Sequence, residues 1–477
     1  MHERIVGLYR DHFGVAPESV LEMGGDGSSR TYHRVRGPDG RTAIGAVGPD
    51  RSENRAFLSF SRALRSAGLP VPEIFRADEE AGVWLEEDLG DTTLFDALEE
   101  ARSEGPAGFP EQLIPVYERV LAWLPRFQVD GHRAVDYGVA YPREAFDRQS
   151  ISWDLNYFKY HFCKLAHLHF DEALLERDFR RLTAFLLRAD TDFFLYRDFQ
   201  SRNVMLRDGE PWFIDYQGGR RGAPQYDVAS LLYDAKADLP ESLRERLLGR
   251  YLDALAERVP VERDRFVELY RGYVIVRILQ ALGAYGYRGF FERKPRFLRS
   301  VPYAARNIER ILARGLPVRL PELEAVFSRI VDRFGREPGE TRDEAGLVVY
   351  VYSFSYRRGY PEDVSGHGGG YVFDCRALPN LGRQVEYRDR TGRDPDVAGY
   401  LEAHGETRSF WEGVLSLVEP QVRAYLGRGF TALTVSFGCT GGQHRSVYFG
   451  ERLAAHLRTA FPGVRIRLHH REEPYWP

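Results

Sequence analysis

The segment Tyr196-Arg197-Asp198-Phe199-Gln200-Ser201-Arg202-Asn203, followed by Asp215, decides the fold of the first part of the chain. Phosphoryl transfer requires a carboxylate at the acceptor hydroxyl and oxygen ligands for a metal ion at the nucleotide phosphates. We therefore predict Asp198 as the catalytic base, and Asn203 and Asp215 as Mg²⁺ ligands of an ATP-dependent phosphotransferase. The alternative is that Asp198 and Asn203 only cap turns, as these residue types commonly do. The spacing of the three residues favours the catalytic interpretation.

The pattern around this segment predicts two lobes. Short apolar stretches at 193–196, 204–206 and 212–215 interrupt a region with helical periodicity from about 92 to 315. Residues 20–90 are instead rich in strand and turn signals, with one helix from about Glu53 to Ala67. We predict an α+β protein-kinase-like bilobal domain at 1–320, with an N-lobe at about 1–90 and a helical C-lobe at 91–320.

A second, smaller α/β domain is predicted at 346–477. A helix and a polar linker at 321–345 precede it. Strands at 371–374, 433–437 and 464–468 then alternate with helices at 396–403, 410–426 and 445–461. This alternation is typical of a sheet that is at least partly parallel.

Composition excludes several classes of protein. With 477 residues, the chain is too long for one hydrophobic core. A net charge of −4 argues against a general nucleic-acid-binding protein. Three cysteines do not make a disulfide framework, and neither a signal peptide nor an apolar run of about 20 residues is evident. We expect a cytoplasmic protein without a membrane partner.

Lysine is nearly absent, and Lys159 is the first along the chain. Protein kinases place a lysine in the third strand of the N-lobe to hold the α- and β-phosphates. Here that lysine has no counterpart. Arg30, Arg34 or Arg55, or the backbone amides of the turn at 24–29, are the alternatives.

Several motifs resemble the aminoglycoside-phosphotransferase family, and more closely its amino-sugar branch, the N-acetylmuramate/N-acetylglucosamine anomeric kinases. The motifs are Gly25-Asp26-Gly27-Ser28-Ser29-Arg30-Thr31-Tyr32, Gly68-Leu69-Pro70-Val71-Pro72, Glu87-Asp88-Leu89-Gly90-Asp91, the catalytic loop, Ile214-Asp215-Tyr216-Gln217 and Gly222-Ala223-Pro224-Gln225-Tyr226-Asp227-Val228-Ala229-Ser230. The family's usual histidine at the start of the catalytic loop is Tyr196 here.

The resemblance implies roles for further residues. Asp227 is expected to support the catalytic loop. Asp154 and Tyr157 are expected to contact an amino-sugar substrate, although Tyr157 is alternatively a core or rim residue. The residues expected to contact ATP are Gly25, Gly27, Ser28, Ser29, Arg30 and, through the hinge, Glu86 and Asp88.

The second domain contains a glycine-rich loop, Gly438-Cys439-Thr440-Gly441-Gly442-Gln443-His444-Arg445-Ser446, between an apolar strand and a helix. Backbone N–H groups in such a loop converge at the positive end of the helix and favour a bound anion. The Cys-x5-Arg-Ser spacing also occurs in cysteine phosphatases, where the thiolate attacks phosphorus. The loop is therefore a phosphate-binding pocket, a phosphatase loop or a structural turn, and the first interpretation is favoured.

The second domain resembles the C-terminal domain of the RNase adapter protein RapZ. The resemblance rests on this loop and on Ser353-Phe354-Ser355-Tyr356-Arg357-Arg358-Gly359, Phe373-Asp374-Cys375-Arg376-Ala377-Leu378-Pro379-Asn380 and Thr391-Gly392-Arg393-Asp394. In that family the domain senses glucosamine-6-phosphate, which implies a phosphosugar ligand here. The implied contacts are Arg357, Arg358, Arg376, Thr440, Gly441, Gly442, His444 and Arg445. Gln443 stands where some members carry a basic residue, and the N-terminal P-loop motif of RapZ does not occur.

Together these patterns predict an ATP-dependent phosphotransferase acting on a hydroxyl of a small molecule, an amino sugar, with a C-terminal domain that binds a phosphorylated sugar. The alternative is a nucleotide-binding regulatory protein whose RapZ-like domain engages RNA or a protein partner. RNA is the less favoured partner because the net charge is negative.

Overall fold

A computed structural model describes residues 2–24, 30–105, 108–335, 346–361, 370–473 and 476. The chain divides into two compact units, Met1–Arg336 and Glu337–Pro477. Each unit has its own hydrophobic core. The predicted bilobal kinase-like domain followed by a smaller α/β domain is confirmed.

The N-lobe is an antiparallel sheet between two helices. Its strands are β1 (Ser19–Met23), β2 (Thr31–Arg36), β3 (Thr42–Val47), β4 (Ile74–Asp78) and β5 (Val83–Glu87), in the order β1-β2-β3-β5-β4. Helix α1 (His2–Phe13) covers one face through Ile5 and Tyr9. Helix α2 (Arg51–Ser66) begins at the N-cap Asp50 and buries Phe57 and Phe60 against the other face. The sequence analysis identified α2 but not α1.

The C-lobe is helical. Its helices are α3 (Leu94–Glu104), α4 (Ile114–Arg126), α5 (His132–Ala134), α6 (Arg148–Phe158), α7 (Glu172–Leu186), α8 (Gln225–Leu232), α9 (Glu241–Ala256), α10 (Arg263–Gly286), α11 (Val301–Arg314) and α12 (Pro321–Phe334). Helix α10 is buried on several sides because apolar residues such as Ile275 and Leu279 surround its axis. Helix α12 packs into the same core through Leu323, Phe327 and Ile330.

Two small β ribbons carry the predicted catalytic segment. Strand β6 (Phe194–Leu195) pairs with β9 (Arg220–Arg221), and β7 (Val204–Arg207) forms a hairpin with β8 (Glu210–Phe213). The catalytic loop therefore lies between β6 and β7, and Asp215 follows β8. Both ribbons are held by buried residues of the C-lobe core, including Tyr196 and Phe213.

The second unit is a parallel sheet with helices. Its strands are β10 (Val348–Ser355), β11 (Tyr371–Asp374), β12 (Ala432–Cys439) and β13 (Arg465–His470), in the order β11-β12-β10-β13 with parallel pairing throughout. Its helices are α13 (Pro395–Glu402), α14 (Gly405–Gly427) and α15 (Arg445–Ala460). Because parallel strands place their carboxyl ends at one edge, the loops after β10, β11 and β12 meet there.

Within the described ranges, no helix combines the length and the apolar character needed to cross a bilayer.

Candidate functional site

Asp227 fixes the backbone at the start of the catalytic loop. It lies fully buried in α8, and its two carboxylate oxygens accept hydrogen bonds from the backbone N–H groups of Tyr196 and Arg197, at 2.8 and 3.0 Å. Burial raises the pKa of Asp227 to about 7, and the two N–H donors oppose that rise. Asp198, which follows Arg197 in the chain, is therefore held in place by a residue of the C-lobe core.

Arg197 adopts an unusual backbone conformation beside the predicted base. Its φ of 84° lies in the left-handed region, which costs an L-residue about 1–2 kcal/mol. The Arg197 guanidinium donates to both carboxylate oxygens of Asp154, at 2.6 and 2.7 Å, and to the hydroxyl of Tyr226 at 2.6 Å. These contacts, with the Asp227 hydrogen bonds, offset the conformational cost and hold the loop in one shape.

The structure brings Asp198, Asn203 and Asp215 together. The Asn203 Nδ2 donates to the backbone carbonyl of Asp198 at 2.8 Å and to the Asp215 carboxylate at 3.0 Å. Asp215 has a left-handed φ of 68°, which turns its side chain back toward the catalytic loop. Desolvation, and then repulsion from Asp198, raises the pKa of Asp215. Two carboxylates that repel each other form a site that favours positive charge.

The donor set around Asp215 fits Mg²⁺, which prefers carboxylate and amide oxygens. The neighbouring Gln217 donates through Nε2 to Asp215 at 2.7 Å, and its own Oε1 is buried without a hydrogen-bond partner among the described residues. In the same described residues, no cluster of three or more His, Cys, Asp or Glu side chains forms a metal site. An ion held by Asn203 and Asp215 would therefore complete its coordination with phosphate oxygens and water. Gln217 lies two positions after Asp215 in the sequence, but a glutamine there did not by itself indicate a functional role.

The nucleotide-binding residues predicted in the N-lobe fall into two groups. Gly25, Gly27, Ser28 and Ser29 lie outside the described residues. Arg30 is buried, and its Nη2 lies 3.2 Å from the Glu53 carboxylate of α2. The sequence analysis missed Glu53.

The two acidic residues predicted at the hinge have different environments. The Glu86 carboxylate is buried and accepts a hydrogen bond from Trp84 Nε1 at 2.8 Å. Burial raises the pKa of Glu86 to about 7. Asp88 accepts from the Arg34 guanidinium at 2.8 Å and from the backbone N–H of Gly90 at 3.0 Å. Asp88 therefore shapes the hinge, and Arg34 ties β2 to it.

The predicted sugar-contacting residues lie on α6, which contacts the catalytic loop through Asp154. Asp154 is buried in α6, where it forms the ion pair with Arg197. Tyr157, one helical turn later, lies in an aromatic cluster, with ring centroids 4.8 Å from His161 and 6.3 Å from Tyr287. Their contact with a sugar stays a prediction.

A second guanidinium near Asp198 was not anticipated from the sequence. Arg220 is buried in β9 and donates through Nε to the backbone carbonyl of Gly218 at 2.9 Å. Burial, and then the like charge of Arg197, lowers the pKa of Arg220 to about 10, while Asp198 opposes that shift. Two arginines thus flank the predicted base. Only the structure shows that Arg220 belongs to this region, because β9, which carries it, pairs with β6.

In the second unit, the glycine-rich loop lies at the carboxyl edge of the parallel sheet. Gly442 has a left-handed φ of 70°, and its backbone N–H donates to the Cys439 sulfur at 3.2 Å. The same buried sulfur lies 3.1 Å from the hydroxyl oxygen of Ser446. Ser355, at the end of β10, donates to the backbone carbonyl of Thr440 at 2.7 Å. These contacts fix the loop at the N-terminus of α15, where backbone N–H groups favour an anion.

The predicted phosphate-binding side chains of this loop already have protein partners. The buried Arg445 donates through Nη1 to the backbone carbonyls of Arg376 and Leu378, both at 2.9 Å. His444 Nε2 lies 2.8 Å from the backbone carbonyl of Tyr387. Arg445 therefore ties the loop to the segment after β11.

The remaining predicted arginines lie along the same edge. Arg376 forms an ion pair with Asp374 at 2.6 Å, and its guanidinium carbon lies 3.9 Å from the centre of the Tyr356 ring. Arg357 and Arg358 lie in a 3₁₀ turn directly after β10. The turn begins where Ser355 accepts a hydrogen bond from the backbone N–H of Arg357.

Glu472 is a further residue at this loop that the sequence analysis missed. Its side chain is 3% exposed, and a Cβ atom on Gly442 would lie 2.9 Å from its Cγ and 3.0 Å from the backbone nitrogen of Ser355. Burial raises the pKa of Glu472. The close packing explains why a glycine stands at position 442.

Comparison with known proteins identifies both units. Residues 19–262 match the family described as the phosphotransferase enzyme family, and residues 347–474 match the RapZ C-terminal domain.

Three similar curated proteins carry the name nucleotide-binding protein. The protein of Koribacter versatilis (strain Ellin345) is 33% identical over 268 residues, 52% of this chain and 81% of its own. That of Solibacter usitatus (strain Ellin6076) is 39% identical over 131 residues, 28% of this chain. That of Thioalkalivibrio sulfidiphilus (strain HL-EbGR7) is 41% identical over 126 residues, 26% of this chain. The chain spans 39% and 42% of the length of the last two.

Three solved structures are also similar. Choline kinase LicA from Streptococcus pneumoniae is 15% identical, with a TM-score of 0.42, over 64% of this chain and 100% of its own. Choline kinase from Cryptosporidium parvum Iowa II is 12% identical, with a TM-score of 0.47, over 69% of this chain and 100% of its own. The amicoumacin kinase hAmiN, in complex with AMP-PNP, Ca²⁺ and Ami, is 12% identical, with a TM-score of 0.40, over 70% of this chain and 96% of its own.

Proposed function

Because the chain belongs to the phosphotransferase enzyme family, we propose that it transfers the γ-phosphoryl group of ATP to a hydroxyl group of a small molecule. The observation that carries the proposal is the convergence of Asp198, Asn203 and Asp215, joined by the hydrogen bonds of the Asn203 amide. A carboxylate for the acceptor and oxygen ligands for a metal ion are the groups that this reaction needs.

Asp198 is the catalytic base of the proposed reaction. Asp227 holds the backbone N–H groups of the two residues before Asp198, which fixes the position from which the Asp198 carboxylate would accept a hydrogen bond from the acceptor hydroxyl. The carboxylate takes the hydroxyl proton as the oxygen attacks phosphorus. Positioning of this kind supplies most of the catalysis in phosphoryl transfer.

Asn203 and Asp215 would hold Mg²⁺, which when bound neutralises charge on the phosphate oxygens. The Asn203 amide joins Asp215 to Asp198, and burial, followed by repulsion from Asp198, raises the pKa of Asp215. A cation therefore stabilises the ionised form of both carboxylates. Gln217 orients the Asp215 carboxylate through its amide N–H.

The acceptor is proposed to be an amino sugar. In this proposal the hydroxyl groups of a sugar donate to the Asp198 carboxylate, and the charge of the neighbouring Arg197 is already balanced by Asp154. Asp154 acts in this proposal by positioning Arg197, and Tyr157 offers an aromatic face for a sugar ring.

The second unit is proposed to bind a phosphorylated sugar at the loop before α15. The left-handed Gly442 and the helix N-terminus direct backbone N–H groups to one place, which favours a phosphate group. Arg376 supplies an exposed cation at the same edge of the sheet.

One observation favours a second function, a regulatory protein that binds nucleotide and turns over slowly, with RNA or a protein as partner of the second unit. The N-lobe has no lysine, although kinases use one to hold the nucleotide phosphates.

Turnover distinguishes the two functions. ATP consumption with Mg²⁺ is measured for the full chain against a panel of amino sugars and their N-acetyl derivatives. The matched variants are Asp198→Ala and Asp332→Ala, the latter an exposed aspartate of α12. We expect turnover on at least one sugar that Asp198→Ala abolishes and Asp332→Ala retains. Full activity in Asp198→Ala would exclude the proposed mechanism, and nucleotide binding without turnover across the panel would favour the regulatory function.

A further inference from the structure

The strand that carries the phosphate-binding lysine in kinases has no charged residue here. Strand β3 reads Thr42-Ala43-Ile44-Gly45-Ala46-Val47, and no lysine precedes Lys159. In kinases that lysine is held by a glutamate of the helix packed on the N-lobe sheet. Helix α2 occupies this place, and its first turn contains Glu53. The glutamate is therefore present, but its partner must come from elsewhere.

Arg30, at the start of β2, is the cation that reaches Glu53. Its Nη2 lies 3.2 Å from the Glu53 Oε1, and the arginine side chain is 2% exposed. The Phe57 ring of α2, against which the Arg30 guanidinium packs, is stacked on the ring of Tyr216, the residue after Asp215, with the ring centres 5.5 Å apart. Arg30 therefore packs on the same aromatic ring as the segment that carries the predicted metal ligand.

Two aromatic rings fix the Arg30 guanidinium in this position. Its central carbon lies 5.1 Å from the centre of the Phe57 ring of α2 and 5.4 Å from that of the Trp84 ring of β5. A planar guanidinium stacks on aromatic faces in a way that a lysine ammonium does not. This packing explains how an arginine at the start of β2, rather than a lysine in β3, is held beside Glu53.

The other two N-lobe arginines considered from the sequence lie elsewhere. Arg34 binds Asp88 and Asp91, so its guanidinium is engaged at the hinge. Arg55 is exposed on α2, one residue beyond the buried Asn54. Neither shares the position between α2 and the catalytic segment.

We infer that Arg30 takes the place of the absent lysine and binds the α- and β-phosphates of the nucleotide, and that Glu53 is its positioning residue. The inference rests on the proposed kinase function. It also removes the main argument for a slow, purely regulatory nucleotide site, because the cation is supplied by a different strand.

Nucleotide affinity tests the inference directly. Dissociation constants for ATP, ADP and adenosine, each with Mg²⁺, are measured by calorimetry for the full chain and for Arg30→Ala, Arg30→Lys, Glu53→Gln and the control Arg55→Ala. We expect Arg30→Ala to weaken ATP and ADP binding at least about 10-fold and to leave adenosine binding unchanged, since adenosine lacks the phosphates. We expect Glu53→Gln to raise the KM for ATP without raising the KM for the acceptor. Arg30→Lys should fall between wild type and Arg30→Ala, because it keeps the charge but loses the planar stack.

Three results would overturn the inference. The first is an Arg30→Ala variant that binds ATP like the wild type. The second is an equal loss of adenosine and ATP binding, which would indicate a merely structural role. The third is an Arg55→Ala variant with the larger loss of ATP affinity. A wild-type chain that binds none of the three probes would instead overturn the proposed kinase function, and this inference with it.

Discussion

The Asp154 carboxylate binds the Arg197 guanidinium through both oxygens, at 2.6 and 2.7 Å, directly beside the predicted catalytic base. Both side chains are largely buried, at 8% and 15% exposure. This buried pair connects helix α6 to the catalytic loop. Loss of this pair should therefore both destabilise the first unit and disturb the catalytic loop.

Breaking this pair should destabilise the first unit strongly. Asp154→Asn leaves the Arg197 guanidinium buried without a charge partner, and such changes cost about 3–5 kcal/mol. We expect a lower thermal unfolding midpoint and reduced phosphotransfer. The control is Glu79→Gln, which removes an exposed ion pair with Arg62 and should cost less than about 1 kcal/mol. Equal effects of the two variants would contradict the structural role of the pair.

Loss of the predicted base should affect chemistry rather than folding. Asp198→Asn keeps the size of the side chain but removes its basicity. We expect kcat to fall by about 10²–10⁴-fold, with ATP affinity and the unfolding midpoint close to those of the wild type. Steady-state kinetics, calorimetry and thermal unfolding give these three quantities. A loss of ATP affinity in parallel with kcat would assign Asp198 to nucleotide binding instead.

The buried Glu86 should make the stability of the first unit depend on pH. Burial raises its pKa from 4.5 to about 7, so the folded protein keeps a proton that the unfolded chain releases. This contribution is complete below pH 4.5 and is lost as the pH rises through 7. Between pH 5 and pH 8 we expect the free energy of unfolding of the wild type to fall by about 2–3 kcal/mol more than that of Glu86→Gln. Denaturant titrations at the two pH values check this, and parallel pH dependences would show that Glu86 ionises normally.

Two adjacent glycines of the second unit should respond differently to alanine. At Gly442 the φ is +70°, and a Cβ atom would lie 2.9 Å from Glu472 and 3.0 Å from the Ser355 nitrogen. At Gly441 nothing lies within 4 Å of such an atom. We expect Gly442→Ala to destabilise the second unit by about 1–3 kcal/mol and to weaken binding of inorganic phosphate. Gly441→Ala should leave stability nearly unchanged, and a similar loss in both variants would argue against a shape-dependent loop.

Substitution of Cys439 tests whether the glycine-rich loop only binds phosphate or acts as a phosphatase. It is buried, with the Gly442 N–H and the Ser446 hydroxyl as neighbours. We expect Cys439→Ser to keep phosphate affinity within about threefold, because its polar contacts can be retained. Hydrolysis of p-nitrophenyl phosphate by the wild type, abolished in Cys439→Ser, would establish the phosphatase alternative.

The sequence predicted the parts of the site that depend on local spacing. The interval between Asp198, Asn203 and Asp215 is set by one loop and one hairpin, so three positions in the sequence suffice to bring them together. The glycine-rich loop before α15 was predicted for the same reason, since a strand, a loop and a helix follow one another directly. The parallel sheet of the second unit likewise followed from the alternation of strands and helices.

Contacts between distant segments could not be predicted in this way. Arg197 meets Asp154, 43 positions away, because α6 packs beside the catalytic loop. Glu53 and Arg30 lie on different elements. From the sequence, Arg30, Arg34, Arg55 and the backbone amides of the turn at 24–29 were all alternatives to the missing lysine, and only the structure shows Arg30 packed against Phe57 and Trp84 beside Glu53. Arg220 and Glu472 carried no periodic or spacing signal. Helix α1 did carry one, since apolar residues recur at helical spacing between Ile5 and Phe13, and the sequence analysis missed it.

The sequence by itself therefore determined the fold class and the order of most elements, because hydrophobic periodicity and short-range spacing follow from the local backbone geometry. Only the tertiary structure decided which charges meet. The contacts of Asp227 with the catalytic loop, of Arg30 with Glu53 and of Asp154 with Arg197 all depend on how segments far apart in the chain pack together. Because these charged groups are removed from water, the loss of the partner of any one of them is costly.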